Sequence, residues 1–165
     1  MPKRGDILLY KGKGFVSGMI RRVTKSEWTH AAWVISETEV LESDWNGVHV
    51  NEIEQYPKDR VVFLLPIVSG TDLEKALEIA RSKLGQRYDW SLFLSFMGCW
   101  LGSFLMPWRK FKVRNRKRGW ICSELVATPL YLSCGFRFND DTPIEEIDPG
   151  DIAEAMITGR VRIGG

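Results

Sequence analysis

The chain has 165 residues, enough for one domain with a sizeable core, and an ordinary composition apart from seven tryptophans. Its net charge of +2 gives no global case for nucleic acid as a partner. Three cysteines are too few for a disulfide framework, and no C-x-x-C pair or Cys/His cluster has zinc spacing, so a reducing compartment is the simpler reading and no zinc site is implied.

The opening "MPKRGDILLY" has too short an apolar run for a signal peptide. The expectation is a cytoplasmic protein, bacterial or phage-encoded, read as a single domain over 1–165. "DILLY" (6–10) predicts a strand after a Gly turn, and a short helix is placed around 15–23. "HAAWVI" (30–35) and "EVLESD" (39–44) are strands joined by a polar turn at Ser36–Thr38. "GVHVNEI" (47–53) alternates, with Val48, Val50 and Ile53 as its apolar set and His49 on the opposite face. "RVVFLLP" (60–66) reads as a buried strand closed by Pro66.

Helices then take over. Thr71 and Glu74 form a capping-box pattern. Leu73, Ala76, Leu77, Ala80 and Leu84 fall on one helical face, and Gly85 ends the run. Asp89 suits an N-cap for a helix from Trp90. "CSELVATPLYLSC" (122–134) is a third helix, which Pro129 should kink or deprive of a hydrogen bond. The tail from "NDDTPIEEIDPGDI" reads as loop with short elements. Strands first and helices after predict an α+β domain with an antiparallel sheet.

Residues 90–108 carry no charge, and 109–118 carry seven cations and no anion. The apolar run is diluted by Ser and Gly and broken by Pro107, so a buried or interfacial helix is a better reading than a membrane span. An apolar helix running into a polybasic stretch can dock on anionic lipid, which makes peripheral membrane contact through 90–118 one expectation. A core helix followed by a solvated loop is the plainer one. The cations can instead meet a phosphate-rich or acidic partner, but aromatics do not interleave them as a nucleic-acid platform requires.

The chemistry turns on Cys122. A thiol is only a few per cent ionised at pH 7, and a helix N-terminus offers partial positive charge and free N–H groups. Cys122 opens the third helix; Cys99 lies inside the apolar run and Cys134 at a helix end. Such a cysteine is a nucleophile or a small buried hydrophobe. A nucleophile needs a base, and His30 stands at the mouth of its strand. The base needs an acceptor on its far nitrogen. With an odd number of residues in the Ser36–Thr38 turn, Glu42 lies diagonal to His30 and Asp44 directly opposite, so both are candidates. Tyr88 serves either at the substrate, as a wall of its pocket or a hydrogen-bond donor near the oxyanion, or as a packed, hydrogen-bonded tyrosine.

At these residues the chain resembles the circularly permuted NlpC/P60 branch of the papain-like cysteine hydrolases, in particular the YiiX/YaeF-like proteins. "GDILLY", "SEWTHAAWVI", "VLESDWNGVHV" and "WICSELVA" match the family's opening strand, histidine strand, acid strand and nucleophile helix in order. "GQRYDW" (85–90) is similar to the stretch upstream of that helix. The histidine and acid precede the cysteine, as in the permuted branch. The resemblance implies a permuted papain-like fold. It also implies thiolate attack on an amide, ester or thioester carbonyl by a triad of Cys122, His30 and Glu42, with no metal or organic cofactor. Relatives suggest peptide-like amides, cell-wall fragments or lipid acyl bonds, so the expected partner is a small-molecule, peptide-like or lipid substrate. Two rivals are a non-catalytic ligand-binding module on the same fold and a membrane-surface protein working through 90–118.

Overall fold

The computed structural model describes residues 2–90, 98 and 119–159. The expected apolar helix beyond Trp90, Cys99 and the basic run 109–118 lie outside the described residues. Five strands come first: β1 (Ile7–Tyr10), β2 (His30–Val34), β3 (Glu39–Asp44), β4 (Gly47–Glu52) and β5 (Val61–Leu64), with α1 (Phe15–Thr24) between β1 and β2. Helices α2 (Gly70–Arg81), α3 (Cys122–Cys134) and α4 (Pro149–Thr158) follow. The strands form one antiparallel sheet in the order β4-β3-β2-β1-β5. The α+β expectation therefore holds. Among the described residues no helix is long and apolar enough to cross a membrane.

The alternation along β2 divides the core. Ala31 and Trp33 face the main cluster, which includes Leu77 and Ala80 of α2, Leu125 and Leu130 of α3 and Ile152 of α4. Ala32 and Val34 face a smaller cluster with Leu8 and Val40. That second face is covered by the β4–β5 connection, through Ile53 and Tyr56.

Pro129 sits inside α3, and the helix runs through it from Cys122 to Cys134. Proline lacks the N–H that would bond the carbonyl four residues back, which is that of Leu125. Trp33 supplies the missing donor: its indole Nε1–H donates to Leu125 O at 3.0 Å, and its side chain is fully buried. The central strand thus completes the helix that carries Cys122.

Several sequence expectations are corrected. The cap of α2 is Ser69, not Thr71; Ser69 Oγ accepts from the Asp72 amide at 3.1 Å and donates to the Asp72 carboxylate at 2.6 Å. Glu74 instead pairs with Arg4 on the surface. Leu84 is 47% exposed, because the helix stops at Arg81 and the chain turns to pair Gly85 N with Val48 O and Val48 N with Gln86 O. That docking requires Gly47: its φ is +97°, and a Cβ there would lie 2.4 Å from Gln86 O. β5 is half-buried rather than buried, since it is an edge strand paired only with β1. Val50 is exposed on the opposite edge strand. The tail contains a full helix, α4, started by Asp148 and Asp151 in a reciprocal capping box with Pro149 at its first turn.

Replacing Trp33 by Phe should cost about 2–4 kcal/mol in urea denaturation, from lost volume and an unsatisfied buried carbonyl. In a Pro129→Ala background the cost should shrink, because the restored amide at position 129 can reach Leu125 O. Equal costs in the two backgrounds would disprove the complementation.

Candidate active site

His30 is the first residue of β2 and shares the parity of Ala32 and Val34, facing the smaller cluster. The β2–β3 register, Trp33↔Leu41 and Val34↔Val40, fixes the relation left open by the turn. Extended along the strands, it sets Asp44 across from His30 and Glu42 on the diagonal. The two acids then separate by environment. Asp44 is drawn into the β3–β4 turn, accepting from Asn46 N at 2.7 Å. Glu42 is 2% exposed, and its Oε2 lies 2.5 Å from His30 Nε2.

Burial raises the energy of a carboxylate unless donors compensate. Glu42 has three besides its charge partner's field: the His30 ring, the Tyr56 hydroxyl on Oε2 and Asn51 Nδ2 on Oε1 at 2.7 Å. Burial pushes its pKa up, but the His30 charge and these donors prevail and hold it down at about 2.

Cys122 is the first residue of α3. The N-cap is Ile121, whose side chain makes no capping bond, so the helix start is left open to the site. The thiol and the His30 ring are within hydrogen-bonding reach of each other. With Nε2 on Glu42, Nδ1 is the ring atom left for the thiol. The backbone N–H groups of Ala31 and Ser123 also donate to it. Burial pushes the thiol pKa up; the His30 charge and hydrogen bond, with the two N–H groups, outweigh that and lower it. Burial disfavours charge on His30 as well, but the Cys122 sulfur and the Glu42 carboxylate raise its pKa to about 10. The arrangement favours a thiolate–imidazolium pair.

A cavity of about 160 Å³ opens beside Cys122, with Met19, Ile20 and Val23 of α1, Tyr88 and Ile121 in its lining. Tyr88 is brought there by a parallel bridge to Trp120, two residues before Cys122. The two segments meet closely because residue 119 is glycine: a Cβ at Gly119 would lie 2.3 Å from Arg87 O. Cys134 is half-buried at the far end of α3, its thiol on Leu130 O at 3.4 Å.

Three neighbours of Glu42 carry no role in the sequence reading, although His49 lies, as expected, on the face opposite Val48 and Val50. Asn51 and His49 share its face in β4, where His49 pairs Glu42 directly. Polar residues in phase on adjacent strands are the available signal for them. Tyr56 reaches in from the β4–β5 connection, and no local pattern marks it. Glu42, Asp44 and His49 also bring ligand-type atoms within 4.8 Å of one another, the one such group among the described residues.

No family model matches the sequence, and no curated protein matches it. Among solved structures, the crystal structure of the metalloprotein YiiX from Escherichia coli O157:H7 (DUF1105) matches with a TM-score of 0.55. The identity is 19%, and the match covers 99% of this chain and 97% of that one. The chain shares the YiiX fold. The resemblance read from the four motifs is supported at that level.

The pKa shifts predict a pH profile for stability. Glu42 titrates near 2 in the fold against an ordinary 4.5, so it contributes stability above pH 4.5 that fades as pH falls toward 2. His30, raised from 6.5 to about 10, contributes stability below pH 6.5 that is lost as pH climbs toward 10. Cys122, held below its ordinary value by His30, gains over the range in which His30 loses, so the acid limb is the one that decides. Melting temperature should fall as pH drops below 4.5, and Glu42→Gln should lower it by roughly 5–10 °C near neutral pH while flattening that acid limb. An unchanged acid limb in Glu42→Gln would refute the assignment.

Proposed function

We propose that this chain is a cysteine-dependent hydrolase of the amidase or peptidase type, on a circularly permuted papain-like fold. The observation that carries the reading is the continuous arrangement Cys122–His30–Glu42, with the thiol pKa lowered and the carboxylate buried on the far imidazole nitrogen. The order of the three in the chain supports the permuted assignment.

In this mechanism Cys122 rests as a thiolate beside the His30 imidazolium. The sulfur attacks the carbonyl carbon of an amide, ester or thioester, and the carbonyl π-electrons move onto oxygen. The N–H of Cys122, at the open start of α3, receives that oxyanion. The oxyanion collapses, the bond to the leaving group breaks, and His30 passes it a proton. His30 then takes a proton from water as the water attacks the acyl-enzyme; collapse of the second oxyanion breaks the C–S bond, releases the carboxylic acid and restores the thiolate–imidazolium pair. Glu42 holds the ring throughout, and Tyr88 forms a wall for the acyl part of the substrate.

The cavity supports a second, narrower reading, a lipid-directed thioesterase or acyltransferase. Met19, Ile20, Val23 and Ile121 make the space beside Cys122 mainly apolar, which suits an acyl chain or an apolar side chain.

The neighbour's description as a metalloprotein raises a metal at Glu42, Asp44 and His49. These donors do not fit one as they stand. Glu42 already accepts from His30, Tyr56 and Asn51; Asp44 caps its turn; and His49 Nδ1 lies 3.1 Å from Gly47 O. Dialysis against EDTA should therefore leave thiol reactivity and melting temperature unchanged. A fall in either would restore the metal reading.

The decisive measurement is the pH dependence of Cys122 alkylation by iodoacetamide, with Cys99→Ser and Cys134→Ser in place. Alkylation should stay fast well below pH 8, and His30→Ala should slow it. Hydrolysis of p-nitrophenyl esters and acyl thioesters should fall roughly 10³-fold or more in Cys122→Ala. An ordinary thiol profile near pH 8.5, indifferent to His30, would exclude the enzyme and leave a binding module.

A further inference from the structure

The Glu42 carboxylate has two oxygens and two histidines to choose between. Oε2 lies 2.5 Å from His30 Nε2, and Oε1 lies 3.7 Å from His49 Nε2. The last torsion of a glutamate is broad and roughly two-fold, so its rotamer alone does not fix where the carboxylate plane points. Asn51 holds Oε1 at 2.7 Å, a single tether that leaves the plane free to swing. The second tether is the Tyr56 hydroxyl, which donates to the same Oε2 that meets His30.

Tyr56 is itself well fixed. Its amide donates to Ile53 O at 3.0 Å, and Pro57 follows it. Its ring meets Tyr10 edge-on at 5.2 Å and lies parallel to the His30 ring at 6.1 Å. Tyr10 is in turn the cross-strand partner of His30. The donor therefore reaches Glu42 from an anchored position over the ring it serves. Burial and the nearby Glu42 charge push the phenol pKa upward, so the hydroxyl remains a donor across the neutral range.

We infer that Tyr56 is a positioning residue of the Cys122–His30–Glu42 site, its hydroxyl fixing the oxygen and plane that Glu42 presents to His30. The inference rests on the catalytic reading above. Tyr56 touches neither substrate nor sulfur in this role; it acts through Glu42. Without the hydroxyl, the carboxylate can rotate toward His49, the imidazolium loses alignment, and the thiolate loses its partner.

The test uses the full chain with Cys99→Ser and Cys134→Ser, and measures Cys122 alkylation by iodoacetamide from pH 5 to 9 with a melting curve for each variant. Tyr56→Phe keeps the ring and its packing. It should slow alkylation about tenfold at pH 6 and little at pH 9, where the thiol ionises without help. In a Glu42→Gln background the same substitution should add less than twofold, because the hydroxyl then has no carboxylate to hold. If wild type shows an activated thiolate and Tyr56→Phe leaves its profile unchanged, the inference about Tyr56 fails alone. A loss that is equal at every pH, or fully additive with Glu42→Gln, likewise overturns it in favour of a purely structural tyrosine. An ordinary wild-type profile overturns the catalytic reading and this inference with it.

Discussion

The hydrogen bond from Trp33 to Leu125 is the constraint on which the rest of the site depends. Cys122 and His30 belong to different elements, distant in sequence and joined by no covalent link. Their relative placement must come from how α3 sits on β2. Apolar packing alone is non-directional and allows a helix to slide or roll on a sheet. A buried polar contact has a direction and a length. Pro129 creates a carbonyl that the helix cannot satisfy, and Trp33 satisfies it three residues along the strand from His30. The proline that looks like a flaw in the helix is thus what gives the helix a fixed registration on the sheet.

The second constraint is electrostatic. A carboxylate at 2% exposure is costly, and an imidazolium or thiolate that is only partly exposed is costly as well. Each charge here is tolerated because the others are present. The cluster is also split between environments. Cys122 begins a helix on the well-packed face of the sheet, whereas Glu42, Asn51 and Tyr56 lie on the face covered by the β4–β5 connection. His30, at the end of its strand, joins the two.

The sequence carried the parts of this that are periodic or local. The bounds of α3 and β3 were readable because a strong apolar pattern met unambiguous ends. Glu42 and Asp44 could not be separated, since parity puts both on the face of His30, and the choice rests on Asn46 drawing Asp44 into a turn. The start of α2 was misplaced because two overlapping patterns, Ser69 with Asp72 and Thr71 with Glu74, compete within one turn. Leu84 fits the helical face, but the backbone pairing of Gly85 and Gln86 with β4 is a tertiary event with no local mark. Tyr56 was invisible for the same reason: a tyrosine in a polar connection looks like any other until the sheet places Glu42 beneath it.

The bridge between Tyr88 and Trp120 has a mechanical meaning. It holds two segments far apart in sequence against each other, with Gly119 pressed against the backbone of Arg87 and Asp89. Loop-closure entropy grows slowly with the number of residues between two joined points, so the cost of holding this bridge is only weakly set by how many residues separate its two members. The bridge is not neutral for the site, however. One of its two members lines the cavity and the other precedes Cys122 by two residues. Any shift at the bridge is therefore delivered at once to a wall of the pocket and to the start of the helix that carries Cys122.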